Sequence, residues 1–489
     1  MLEMLKNELS YTYTQNGAIA LNSTGGNCMD LFFSAGAMRG ASKEEISALT
    51  IHAFAEDPDK TMKILFFARD VRGGLGERRF FRIAMGALAG YAPESVRKNI
   101  KNFAEYGRFD DLMVLLGTPL ENEAVSQIKA QFSADMKAMA DGKRVSLLAK
   151  WMPSVNASSS ATRIRGKRLA ALMGMREPAY RKALSALRKY TDILENRLRE
   201  RDYTFDYEVQ PSRAMFKYRN AFYRNDGLRY SQYLDKVEVG RAVMNTGTLY
   251  PYDIVRRALT YGISAEEIRS LDVAWKALPD LTGSRKENAI AVIDGSGSMT
   301  IGCGSLRPLD AALSLGMYFA EHNVGAFANH FITFSETPQL VEIKGGDIVE
   351  KAQYCASYNE IANTDLEQVF LLILRTALNN RVPQKELPTR LYIISDMEFD
   401  EAVTGGNSKP LFREMKELFA QHGYKLPEIV FWNVSARMGA IPVGRSETGA
   451  ALVSGYTPAV FDMVMSGELS PETVMEQVLS SPRYAKISA

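Results

Sequence analysis

The chain of 489 residues holds only three cysteines, four histidines and three tryptophans. Cys28, Cys303 and Cys355 are too few and too far apart for a disulfide framework, so reduced thiols are expected. His52, His322, His330 and His422 lack the close pairing that zinc sites use, which argues against zinc. No apolar stretch approaches the ~18–20 residues of a membrane helix. Residues 1–8 lack a basic segment followed by an apolar core, so no secretory signal is read and a cytoplasmic location is expected, with no membrane partner. The glycine-rich ATP-binding pattern ending in Lys-Ser or Lys-Thr is also missing, which speaks against phosphoryl transfer.

Net charge is small, +2, but unevenly placed. From residue 288 onward there are 15 basic and 23 acidic residues, whereas residues 143–257 hold 24 basic against 11 acidic. A chain this long exceeds one hydrophobic core, and a charge split between its parts points to an anionic partner for one of them.

The acidic half is organised around Asp294-Gly295-Ser296-Gly297-Ser298, which follows the uncharged run Ala289 to Ile293. An uncharged run of that length reads as a buried parallel strand delivering oxygen ligands at its carboxyl end. Asn363-Thr364-Asp365 enters a helix whose apolar face is Leu366, Val369, Phe370, Ile373, Leu374 and Ala377. Arg390 to Ile394 reads as a second buried strand, closed by Ser395-Asp396. Asp294, Ser296, Ser298, Thr364 and Asp396 supply the hard oxygen donors a divalent cation takes, Mg²⁺ first, with Mn²⁺ and Ca²⁺ sharing the chemistry. The pentapeptide alone is a weak pattern, and an ordinary glycine-serine turn is its plain reading. The other two segments, in order and each at an element end, make it specific.

Around these, helix Pro308–His322, strand Ala328–Phe334, strand Pro338–Ile343, helix Asp365–Leu378, helix Leu411–Gln421, strand Glu428–Val434 and a short strand at Ala451–Val453 predict a parallel sheet wrapped by helices. The basic half reads as helices. Ser42 with Glu45, and Ser264 with Glu267, mark capping boxes. A long helix is expected from Glu177-Pro178 with Arg181, Lys182, Arg188, Lys189, Arg197, Arg199 and Arg201 along it. Brief connections and no strand alternation suggest stacked helical hairpins, without a fixed period. The cut falls in the linker 278–288, giving a helical domain over 1–280 and an α/β domain over 281–489.

Candidate phosphate contacts are Arg72, Arg78 and Arg79 around the glycine loop Gly73-Gly74, then Arg163, Arg165, Lys167 and Arg168, then Lys217, Arg219 and Arg224 among tyrosines. Interleaved Arg and Tyr can pair phosphate neutralisation with base stacking. The competing reading is a solvated basic face with tyrosines packed inward.

The five oxygen donors resemble, one for one, the metal-ion-dependent adhesion site of von Willebrand factor A domains. A helical region ahead of such a domain is similar to the TROVE proteins of the Ro ribonucleoprotein class. A second resemblance is to a bacterial, viral and plant family sharing Phe67-Ala68-Arg69-Asp70, Arg72-Gly73-Gly74, the turn Gly107 to Leu112, Lys150-Trp151-Met152-Pro153 and Ser395-Asp396-Met397; it runs over about residues 27–480. The Ro-like resemblance implies a HEAT-like α-helical repeat closing into a ring, joined to a doubly wound, Rossmann-like von Willebrand A domain. It implies an RNA-binding ribonucleoprotein scaffold, not an enzyme, for single-stranded or small structured RNA. The metal site would dock a partner or the helical domain itself; the alternative is a protein-assembly or adhesion-type module whose metal binds a partner carboxylate. The helical motifs depart from TROVE proteins, so no RNA contact carries over by position.

Overall fold

The computed structural model describes residues 11–282, 288–302, 307–334, 337–358, 365–400, 410–435, 439–464 and 469–489. They pack as two compact units that are discontinuous in sequence. One comprises residues 46–72, 76–206 and 484–489, and the other residues 1–45, 73–75 and 207–483.

The first unit is helical. Its principal helices are α1 (Pro58–Arg69), α2 (Arg78–Tyr91), α3 (Glu121–Ala140), α4 (Ser160–Leu172) and α5 (Glu177–Tyr190). Asp57 caps α1 by accepting a hydrogen bond from the Lys60 N–H at 2.9 Å. Pro58 then fills the first helical position, where a missing N–H costs nothing. The core is aromatic: Phe66 meets Phe81, Phe103 and Tyr106 edge to face, with centroids 5.2 to 5.9 Å apart. Tyr484 completes it from the far end of the sequence, stacking on Tyr106 at 5.9 Å and donating to Asp70 Oδ2 at 3.2 Å.

The helix expected to run on from Glu177 stops at Tyr190, and a short helix, Leu194–Arg199, follows. The break has a local cause. Asn196 Nδ2 donates to the Arg188 carbonyl at 2.5 Å and to the Thr191 carbonyl at 2.9 Å. Its side chain thereby satisfies backbone groups that another turn would have used.

The second unit joins helices α6 (Ser212–Glu238), α7 (Pro251–Ala258) and α8 (Ala265–Lys276) to a mixed sheet. An N-terminal hairpin, β1 (Tyr11–Tyr13) and β2 (Ile19–Leu21), precedes the sheet strands β3 (Ala289–Asp294), β4 (His330–Phe334), β5 (Gln339–Glu342), β6 (Arg390–Ser395), β7 (Glu428–Asn433) and β8 (Ala450–Ser454). Spatial order is β5-β4-β3-β6-β7-β8, with only β5 antiparallel to its neighbour. Every residue of β3, β6 and β8 is buried, as the uncharged runs required for strands covered on both faces. Helix α9 (Pro308–His322) lies directly on β3 and is buried from Pro308 to Ala320. Gly316 permits that approach, since a Cβ there would stand 2.7 Å from Ile293 Cγ1.

Ser42 and Glu45 form the expected capping box: each backbone N–H is accepted by the other's side chain, at 2.7 and 3.1 Å. Ser264 caps the Glu267 N–H at 3.3 Å, but the Glu267 carboxylate is held by Arg257 and Arg219.

Candidate cation site and basic surfaces

The cation loop is built by register. Ile293 of β3 pairs with Ile394 of β6, so the next residue of each strand, Asp294 and Ser395, emerge side by side at the carboxyl end of the sheet. Ser395 Oγ donates to Asp294 Oδ2 at 2.6 Å, and the Ser296 N–H donates to Asp294 Oδ1 at 2.9 Å. The chain then turns through one 3₁₀ turn, Gly297–Thr300, which brings Ser296 Oγ within 2.9 Å of Ser298 Oγ.

Asp396 follows Ser395 and is 1% exposed, while Asp294 is wholly buried. Met397 adopts φ +67°, a left-handed conformation that a non-glycine residue takes only when its surroundings impose it. The Met397 and Glu398 N–H groups donate back to Ser395 Oγ and Asp396 Oδ1, at 3.0 and 3.3 Å. The N-terminal hairpin closes on this turn: Thr14 Oγ1 donates to the Phe399 carbonyl at 2.6 Å and the Gln15 N–H to Glu398 Oε2 at 2.7 Å.

Burial, then the nearby Asp396 charge, pushes the Asp294 carboxyl well above its ordinary range, against the hydrogen bonds from Ser395 and Ser296. Two buried carboxylates with two serine hydroxyls nearby form a hard-oxygen donor set, the kind a small divalent cation takes. Asp294, Ser296 and Ser298 thus share one loop, and Asp396 follows the end of the neighbouring strand, its charge within reach of Asp294. Thr364 lies outside the described residues; the helix it was expected to precede is α10 (Leu366–Asn380), capped by Asp365. Sequence reasoning left Ser395 without a role, although its place one residue after a strand pairing with β3 marks it as Asp294's neighbour.

The basic candidates divide between the units. Arg72, Arg78, Arg79, Arg163, Arg165, Lys167 and Arg168 lie in the helical unit, and Lys217, Arg219 and Arg224 in the other. Arg219 is a correction. It is buried, donates to Glu267 and the Phe216 carbonyl, and stacks 4.3 Å from the Phe216 ring, so it holds helices together. Nearby aromatic rings pack inward too: Tyr207, Phe222, Tyr230 and Tyr233 form one cluster. The faces of these rings are used within the cluster rather than offered to bases.

Arg163 donates to the carbonyls of Ala157 and Ser158, Lys167 pairs with Glu177 at 3.3 Å, and Arg168 pairs with Glu121. The charge nevertheless concentrates on α4 and α5. Residues 160–190 contain nine basic residues and one acidic residue. Arg165, Arg176, Arg181, Lys182 and Lys189 are exposed there.

The helical portion matches, over residues 14–133 and 124–289, a family model described as Domain of unknown function (DUF2828). Residues 288–484 match a second, described as Domain of unknown function (DUF7788). An uncharacterised protein of Acanthamoeba polyphaga mimivirus is 26% identical over 512 aligned positions, spanning 96% of this chain and 87% of that protein. Among solved structures, the crystal structure of the Deinococcus radiodurans Ro (RSR) protein aligns with a TM-score of 0.40 and 14% identity, over 96% of both chains.

Proposed function

The chain belongs to the family described as Domain of unknown function (DUF2828), a membership that carries no activity with it, and on its own residues we propose a non-enzymatic RNA-binding scaffold with a divalent-cation site. The observation that carries the first part is the charge of residues 160–190, α4 and α5 with the turn between them, which hold nine basic residues to one acidic. Side chains that neutralise phosphates release condensed counterions, so affinity should fall steeply with salt, by about 0.7 in the logarithmic slope for each phosphate on a single strand. The test is retention of a mixed-sequence oligoribonucleotide by the full chain across salt concentrations. Arg181→Glu with Lys182→Glu should lower affinity by about tenfold or more and flatten that slope. Binding that barely changes between low and moderate salt refutes the reading. A 260 to 280 nm absorbance ratio above that of protein alone, after purification without nuclease, supports it.

We read the α/β layer as von Willebrand A-type, with Asp294, Ser296, Ser298, Thr364 and Asp396 holding Mg²⁺. A cation there supplies a coordination position for a carboxylate from a partner, and this chain's residues hold and orient it. The buried pair Asp294 and Asp396 favours a second reading, an assembly module that grips a partner protein's carboxylate. Asp294→Ala should then abolish partner pull-down, with no nucleic acid in the purified protein. The proposal is non-enzymatic, and the two histidines of the sheet and its covering helix are engaged away from the serines. The His322 ring bonds the Tyr318 carbonyl at 2.8 Å, and His330 begins β4, at the end of the sheet opposite Asp294.

A further inference from the structure

Four arginines of the helical unit gather around two carboxylates. Asp111, fully buried, accepts from Arg69 Nε at 2.7 Å, Arg82 Nε at 2.6 Å and the Arg108 N–H at 2.9 Å. Asp110 takes both Nε and Nη2 of Arg108, at 2.9 and 2.7 Å. Arg82 Nη2 also pairs with Asp110 Oδ2 at 2.8 Å. The Trp151 ring lies 3.8 Å from the Arg108 guanidinium and fixes its plane. Gly107 leaves no slack, since a Cβ there would run into Asp111 Oδ2 and stand 2.7 Å from Arg69 Nε.

Arg78, at the start of α2, is the fourth. It is exposed and has no hydrogen bond or ion pair among the described residues. It lies one helical turn before Arg82 on α2, on the same face, and after partial burial the charges of Arg108 and Arg82 lower its pKa. Four guanidinium groups against two carboxylates leave an excess of two positive charges around this turn. Planar forked donors match phosphate oxygens, and a terminal phosphate monoester carries ≈ −1.5 to −2 at neutral pH, where an internal diester carries one charge.

We propose that Arg78, Arg82 and Arg108, braced by Trp151, receive one phosphate group, the terminal phosphate monoester of an RNA strand. The assignment of the phosphate to RNA rests on the RNA-binding reading above; the phosphate site itself does not. Calorimetry of the full chain with inorganic phosphate tests the site. Arg78→Gln, which removes an exposed side chain and no internal partner, should weaken that binding by about tenfold or more. Absence of phosphate binding, or equal binding by the variant, overturns the site. One oligoribonucleotide, ending in phosphate or in hydroxyl, tests the source. The phosphorylated form should bind about tenfold tighter to the wild type and equally to Arg78→Gln. Equal binding of both forms by the wild type overturns the RNA terminus as the source. If neither form binds while inorganic phosphate still does, the RNA-binding reading falls and the phosphate site stands.

Discussion

Replacing Asp111 by Asn keeps the shape of the side chain and removes the charge on which three donors converge. Arg69, 2% exposed, would then bury a cation whose Nε partner at 2.7 Å is gone. Removing one member of a buried ion pair costs roughly 3–5 kcal/mol, because the partner's desolvation is no longer offset. With Arg82 and the Arg108 N–H sharing the same carboxylate, about 4 kcal/mol is expected, a large share of a domain's ordinary ~5–15 kcal/mol. The assay is native-state hydrogen exchange read by mass spectrometry on peptides from residues 58–115, which isolates this unit from the rest of the chain. At 1.4 kcal/mol per decade, Asp111→Asn should speed exchange of its protected amides by about a thousandfold. Asp110→Asn is the companion. Asp110 is 19% exposed and its partner Arg108 24%, so solvent compensates and about 1 kcal/mol, roughly fivefold, is expected. Exchange in Asp111→Asn within tenfold of wild type, or an equal effect of both variants, would show that the buried carboxylate does not anchor the turn.

Asp294→Asn removes repulsion between two buried carboxylates, so in chelator its melting temperature should exceed that of wild type, while the upward shift with Mg²⁺ should disappear; a variant that still responds to Mg²⁺ rules out Asp294 as a ligand. Glu267 is held at about 2, below its ordinary 4.5, by the Arg257 and Arg219 guanidinium groups. A depressed carboxyl pKa stabilises the fold above pH 4.5, and that contribution is lost as pH falls toward 2. Glu267→Gln should therefore flatten the acid limb of a stability profile between those values, and an unchanged limb would place the acid sensitivity elsewhere. Gly107→Ala should mimic Asp111→Asn in hydrogen exchange, by pushing Arg69 and Asp111 apart, and wild-type exchange rates in that variant would count against the tight packing described.

The α/β half was the more legible because its strands are buried on both faces and so announce themselves as uncharged runs. Helices Pro308–His322 and Leu411–Gln421 were read to their ends, where proline and polar residues punctuate the pattern. Convergence of Asp294 and Asp396 was also readable, since both terminate such runs. Ser395 was not, because its role depends on which strands are neighbours. In the basic half, charge was visible but its partners were not: Arg69 meets Asp111 and Arg82 meets Asp111 across 42 and 29 residues. Arg219 carried a signal that was overlooked. It shares a helical face with Met215 and Phe222, both buried, so its spacing already pointed inward.

Tyr484 and the residues after it fill the aromatic centre of a unit whose other members are all within residues 46–206. During synthesis the early helices therefore emerge and fold with an open seam, which closes only once the intervening sheet has been translated. Chaperone dependence and proteolytic nicking should concentrate in that interval, until Tyr484 takes its place against Tyr106.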